Sequence, residues 1–165
     1  MSPRAEFIAL ATLAGIVVAV LGYLLASSFV FEQPLGEALR MGARWSPTGG
    51  LAALGAAWIV TAWHGRRGRA GRRWRTPGLA LRATLLALLL YPLAVACWVL
   101  STGLLDQQFA TAGMPLRELA DWVPSIVFGA TLAALLIGTL PAFAIAFMLG
   151  RRYLRRLAGS TTDIA

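Results

Sequence analysis

The sequence contains no lysine; all fifteen of its basic side chains are arginines. A base-composition bias of the gene accounts for that preference. Charge of either sign is scarce, at 13% of residues, against about 25% in soluble domains. That scarcity excludes an ordinary solvated surface. One cysteine, Cys97, lies in an apolar stretch. It excludes an internal disulfide and a cysteine metal framework, and a buried free thiol behaves as a small hydrophobe. One histidine, His64, excludes a histidine metal cluster; it follows Trp63 at the end of an apolar run and is expected in solvent. There is no glycine-rich phosphate loop, no paired-histidine haem pattern and no Ser/His/Asp arrangement. No cofactor or metal is implied.

What is present is apolar sequence. Hydrophobic residues make up 58% of the 165 residues. They gather in four runs free of charge: 7–31, 47–63, 83–105 and 123–149. A membrane span needs about 20 apolar residues to cross about 30 Å of hydrocarbon. The runs predict an all-α, polytopic membrane protein with four transmembrane helices. The second run is the shortest and the richest in Gly and Ala, so it would span with little tilt or with local thinning of the bilayer. The first run exceeds the apolar core of a signal peptide and is read as a retained helix. None of the runs holds Asp, Glu, Lys, Arg, His, Asn or Gln. Such groups are costly in lipid and usually functional there, so their absence argues against proton coupling or a charged-substrate path within one subunit.

The arginines give a direction. The segment 64–82 carries Arg66, Arg67, Arg69, Arg72, Arg73, Arg75 and Arg82 with no acid, and the tail 150–165 carries Arg151, Arg152, Arg155 and Arg156. With Arg4 these make twelve, against three in the remaining loops, Arg40, Arg44 and Arg117. Basic residues concentrate on the cytoplasmic side. Both termini are therefore expected in the cytoplasm of a bacterial inner membrane. The net charge of +8 is explained by that topology signal, and no nucleic-acid partner is expected.

The two outward loops read as short interfacial helices, over 34–45 and 115–122. Each opens on Pro, a favoured first helical residue, and carries Glu in the first turn, which suits the helix dipole. Leu35, Leu39 and Trp45, and Leu116, Leu119 and Trp122, are placed as apolar faces at headgroup depth. The two halves also echo each other. Pro-Leu-x-Glu is followed by Trp-x-Pro at Trp45–Pro47 and Trp122–Pro124, then by a Gly/Ala-rich run ending in Gly-Arg-Arg at 65–67 and 150–152. The pattern suggests a tandem repeat of a helical hairpin, with both copies oriented alike.

Four sets of residues are candidates for function. Arg66, Arg67, Arg69, Arg72, Arg73, Arg75, Arg151 and Arg152 form a basic cluster beside the spans, of the kind that attracts anionic lipid headgroups by about 1 kcal/mol per residue; the glycines at 65, 68 and 71 suggest that its loop is flexible. Gly15, Ala19 and Gly22 in the first run, and Gly50, Ala53 and Ala57 in the second, are small residues at helical spacing that allow close packing, within the bundle or against a partner. Pro92 and Pro141 should kink the third and fourth spans. Asp106 and Asp121, the candidates for an outward acid pair, are read with Glu32, Glu37 and Glu118 as interfacial charges.

Three function classes follow. The first is a non-catalytic subunit packed against partner helices of a larger complex and touching anionic lipid on the cytoplasmic side. The second is a small transport component whose pathway forms when copies of the chain, or the chain and a partner, assemble. The third is a lipid-active enzyme at one interface.

Overall fold

A computed structural model describes the backbone of residues 2–30, 34–69, 74–109 and 116–162, and the side chains of 2–28, 34–67, 74–104 and 121–159. The described chain is all-helical. Helix α1 runs Pro3–Val30, α2 Leu35–Arg69, α3 Thr76–Phe109, α4 Leu116–Ala133 and α5 Thr139–Thr162. A single π-turn, Ala134–Gly138, joins α4 to α5 without a break.

Helix starts follow their local chemistry. Pro3 opens α1, and the Ser2 hydroxyl accepts from the Ala5 amide at 3.3 Å, which satisfies a donor that no helical carbonyl can reach. The Pro34 carbonyl accepts from the amides of Glu37 and Ala38 at the start of α2. The Arg75 carbonyl accepts from Leu79 at the start of α3.

Three helical stretches are long and apolar enough to cross a membrane: Pro3–Ser28, Thr76–Leu104 and Asp121–Gly159. The run 47–63 lies within α2 and is not among them. Its apolar residues are mostly Ala and Gly, whose short side chains carry little hydropathy.

The helices close into a ring. α1 packs most extensively on α2, α2 on α3, α3 on both α4 and α5, and α5 with the π-turn returns to α1. Each half is a hairpin, and the second arm of each carries its Trp-x-Pro near the start and its Gly-Arg-Arg further on, at 65–67 in α2 and 150–152 in α5. The best-buried core sits at the arginine-rich end, where Phe7, Ala57, Val60, Leu79, Ala83 and Tyr153 pack together.

The structure departs from the sequence reading at both kinds of loop. The segment 35–45 is not a separate helix; it continues through Pro47 into α2. Pro47 lacks the amide that would bond the Ala43 carbonyl, and the Ser46 hydroxyl donates to that carbonyl instead at 2.8 Å. Trp45 lines the interior, whereas Leu35 and Leu39 are exposed. Likewise 116–122 is the start of α4, with Pro124 inside it; Trp122 is exposed, and the side chains of Leu116 and Leu119 lie outside the described residues. The segment 64–82 is mostly helix rather than loop, because α2 continues to Arg69 and α3 begins at Thr76.

Pro92 lies inside α3. Pro141 lies in the first turn of α5, directly after the π-turn. A helical proline clashes with the carbonyl four residues back, here that of Ile137 within the π-turn. Widening the helix by one residue at that point relieves the crowding.

Candidate functional site

The arginine-rich end of the bundle is where four helices deliver charge and aromatic rings to one place. α1 brings Arg4, α2 brings Arg66 and Arg67, α3 brings Arg82 with Arg75 just ahead of it, and α5 brings Arg151, Arg152, Arg155 and Arg156. The backbone of Arg69 closes α2, while Arg72 and Arg73 lie outside the described residues.

The centre of this end is Trp74. Its ring meets Trp63 edge-on, with centroids 5.3 Å apart, and it meets His64 at 5.6 Å. The Arg82 guanidinium lies 4.5 Å from its centroid, and the Arg67 guanidinium lies 5.7 Å from it and 5.4 Å from that of Trp63. Arg82 is steadied further, since its Nη1 donates to the Gly78 carbonyl one turn back at 2.8 Å. Ring faces attract cations through their quadrupole. Stacking engages the face of a guanidinium and leaves its N–H edge, the part that pairs with phosphate, to other partners.

His64 is not in solvent. It is 4% exposed, held between Trp74 and Tyr153, whose ring centroid lies 6.1 Å away. The reason is that α2 continues past it, which turns its position inward onto α3 and α5. Tyr153 in turn packs on Phe7 at 5.1 Å.

Among the described residues one acid joins this end. Glu6 of α1 binds Arg152 at 2.6 Å and also Arg156, tying the first turn of the chain to α5. Its side chain is only 15% exposed. No local sequence pattern links residues so far apart. Of the acids read from the sequence as interfacial, Glu37 and Asp121 are exposed, and the side chains of Glu32, Asp106 and Glu118 lie outside the described residues.

The small residues meet at the α1–α2 crossing. A Cβ on Gly15 would stand 2.5 Å from the Gly49 carbonyl oxygen and 2.6 Å from the Ala53 Cβ. A Cβ on Gly49 would strike the Gly15 carbonyl and lie 2.7 Å from the Ala19 Cβ. A Cβ on Gly50 would stand 2.9 Å from the Ile16 side chain, and Ala57 belongs to the buried core. Gly22 is different, with nothing within 4 Å of the position its Cβ would take. Sequence reasoning missed Gly49. The signal was there, since 49, 53 and 57 repeat the four-residue step of 11, 15 and 19.

Beside that crossing, whose Gly15, Ala19, Gly49 and Ala53 line the gap, the bundle is not filled. A cavity of about 610 Å³ lies between the helices, walled by α1, α2, α3, α4, the π-turn and α5. Ala or Gly occupies twenty of its thirty-one lining positions, and these side chains are too short to meet across the centre. Thr84 and Tyr91 of α3 are in its wall.

No protein-family model matches the chain, and neither a curated protein nor a solved structure matches it significantly.

Proposed function

We propose that the chain is a non-catalytic, four-span subunit of a bacterial inner membrane, with both termini in the cytoplasm, that packs against partner helices and holds anionic lipid headgroups at its arginine-rich end. The observation that carries this reading is the convergence of arginines from α1, α2, α3 and α5 on one end, around the Trp63–Trp74 pair. Arginine beside a span marks the cytoplasmic side, and tryptophan favours the headgroup zone. Guanidinium groups there supply about 1 kcal/mol each toward anionic lipid.

The fourth span is supported by placement. α2 lies along both α1 and α3, and its outward face carries the exposed apolar residues Leu51, Leu54 and Trp58. On α1, Leu13, Val17, Leu21 and Leu25 form an exposed stripe at four-residue steps, a face that suits lipid or a neighbouring helix. A second reading, a transport component completed by assembly, is favoured by the cavity, whose arginine-end wall residues Phe7, Ala57 and Ala83 belong to the buried core.

The test is reconstitution into nanodiscs of phosphatidylcholine alone or with phosphatidylglycerol, followed by thermal unfolding. Anionic lipid should raise the melting temperature, and Arg67→Gln with Arg82→Gln should remove a large part of the increment. Equal melting temperatures in the two lipids would overturn the lipid contact. A clean monomer without partners in mild detergent would overturn the subunit reading.

A further inference from the structure

Glu6 occupies a place that suits another kind of anion. α5 leaves its apolar run at Leu149 and then presents Arg152 and Arg156 one turn apart on one face. At 1.5 Å per residue they stand about 5 and 10 Å beyond Leu149, where headgroups follow hydrocarbon. Arg152 Nη2 donates to Glu6 Oε1 at 2.6 Å, and Arg156 Nη1 donates to Oε2. Each carboxylate oxygen therefore has its own guanidinium. Two oxygens of a phosphate would be gripped in the same way.

Deeper than this clasp the walls turn apolar. The start of α1 meets the end of α5, so Leu10 lies one turn deeper than Glu6, and Leu149 about one turn deeper than Arg152. Phe7, Leu10 and Leu149 line a narrow crevice whose rim is Glu6, Arg152 and Arg156. Charge at the rim and hydrocarbon beneath it is the layout of a phospholipid, a phosphate followed by acyl chain. The rim is also short of negative charge. Arg4, two residues before Glu6, is close enough for its charge to act on Tyr153. Among the described residues, three arginines here share one acid. Nor does Glu6 seal the site. Ion pairs whose partners reach water are weak and are screened by salt, and both arginines are about half exposed.

We propose that the α1–α5 crevice is a phospholipid site, in which a lipid phosphate displaces the Glu6 carboxylate from Arg152 and Arg156 while its first chain carbons pass Leu10 and Leu149. Glu6 is then a resident competitor, and lipid binding releases the first turns of α1 from α5. The proposal rests on the reading of the arginine end as a lipid contact, and adds a site separate from Arg67 and Arg82. A soluble phosphate ester shares the headgroup chemistry; the apolar flank at Leu10 and Leu149 favours the lipid.

The experiment uses the full chain in phosphatidylcholine nanodiscs with a rising share of phosphatidylglycerol, read by melting temperature and by amide exchange. As the melting temperature rises, the amides of 6–10 should exchange faster, because the tie to α5 is lost. In Glu6→Gln they should be fast already and indifferent to phosphatidylglycerol. Glu6→Gln should also lower the share of phosphatidylglycerol that gives half the thermal gain, by about two- to fivefold, the range set by an exposed ion pair. That lowering should persist with Arg67→Gln and Arg82→Gln and vanish with Arg152→Gln and Arg156→Gln. Arg152 and Arg156 are exposed, so their variants leave the packing in place. Equal lowering in the two backgrounds would mean a general effect of net charge; it overturns this site and leaves the contact at Arg67 and Arg82 standing. Slower exchange at 6–10 in phosphatidylglycerol overturns the displacement. Glycerol phosphate added to phosphatidylcholine nanodiscs should change nothing, and an equal effect from it overturns the lipid as the source. A thermal gain absent from every protein overturns the lipid contact itself, and this site with it.

Discussion

Gly15 and Gly49 face each other across the α1–α2 crossing, each occupying the space that a side chain on the other would need. Lipid supplies no hydrophobic force between helices, so close van der Waals contact of this kind is what holds a membrane hairpin together. Gly15→Ala or Gly49→Ala should therefore destabilise the fold by about 1–3 kcal/mol, the usual cost of overpacking, even though alanine is the better helix former by about 1 kcal/mol. Gly22→Ala has open space before it and should be neutral or stabilising. Unfolding in detergent–denaturant mixtures gives the comparison, and equal effects at Gly15 and Gly22 would contradict the crossing.

Glu6 is held by Arg152 and Arg156, whose side chains are 57% and 51% exposed. Because both arginines reach water, removing the acid does not strand a buried charge. Glu6→Gln should cost only about 1 kcal/mol, a loss of about 2–4 °C in melting temperature for a chain of this size. The same change adds one net positive charge to the arginine end, so the stabilisation by phosphatidylglycerol should grow. Faster amide exchange should be confined to the start of α1 and to α5 beyond Gly150. A loss of stability together with a smaller lipid increment would show that Glu6 itself organises the lipid contact.

Trp74 makes a different kind of contact, offering ring faces to two cations. Each such pair contributes about 0.5–1 kcal/mol at exposed sites. Trp74→Leu should therefore lose about 1–2 kcal/mol, counting both Arg67 and Arg82, and Trp74→Phe should recover part of it. Both variants keep every arginine, so the gain in melting temperature on adding phosphatidylglycerol should persist in each. A gain that vanishes in Trp74→Leu would assign the lipid contact to the stacked geometry rather than to charge.

These residues also show what the chain discloses before it is folded. The three strongest helices were legible because Leu, Ile, Val and Phe accumulate in them over long distances. The continuity of α2 was not, since Pro47, Gly65 and Gly68 read as breaks. In the structure Ser46 takes the carbonyl that Pro47 leaves, and burial of Thr61 and His64 carries the helix onward beyond the apolar run. The arginine cluster was legible as composition and charge. Its aromatic centre was not, because Trp63, Arg82 and Tyr153 come from three helices and Trp74 from the segment ahead of α3, and they meet only through packing. The cavity was hidden for a related reason: alanines and glycines look like contact residues in a sequence, and only the arrangement of the helices decides which of them touch.

The second helix decides the topology, and its crossing can be measured directly. Gly36 and Gly65 are exposed positions near its two ends, and neither has an atom within 4 Å of the place its Cβ would take. A cysteine at either site should be tolerated and reachable. The stretch between them measures about 43 Å at 1.5 Å per residue, longer than the hydrocarbon thickness of about 30 Å. With Cys97, which is itself exposed on the bundle, replaced by Ala, Gly36→Cys should react with a membrane-impermeant maleimide added outside intact spheroplasts. Gly65→Cys, next to the arginines, should react only after permeabilisation. Labelling of both from one side would mean that α2 does not cross, and a crossing with the sides reversed would place the arginine-rich end outside, against the charge asymmetry that governs insertion.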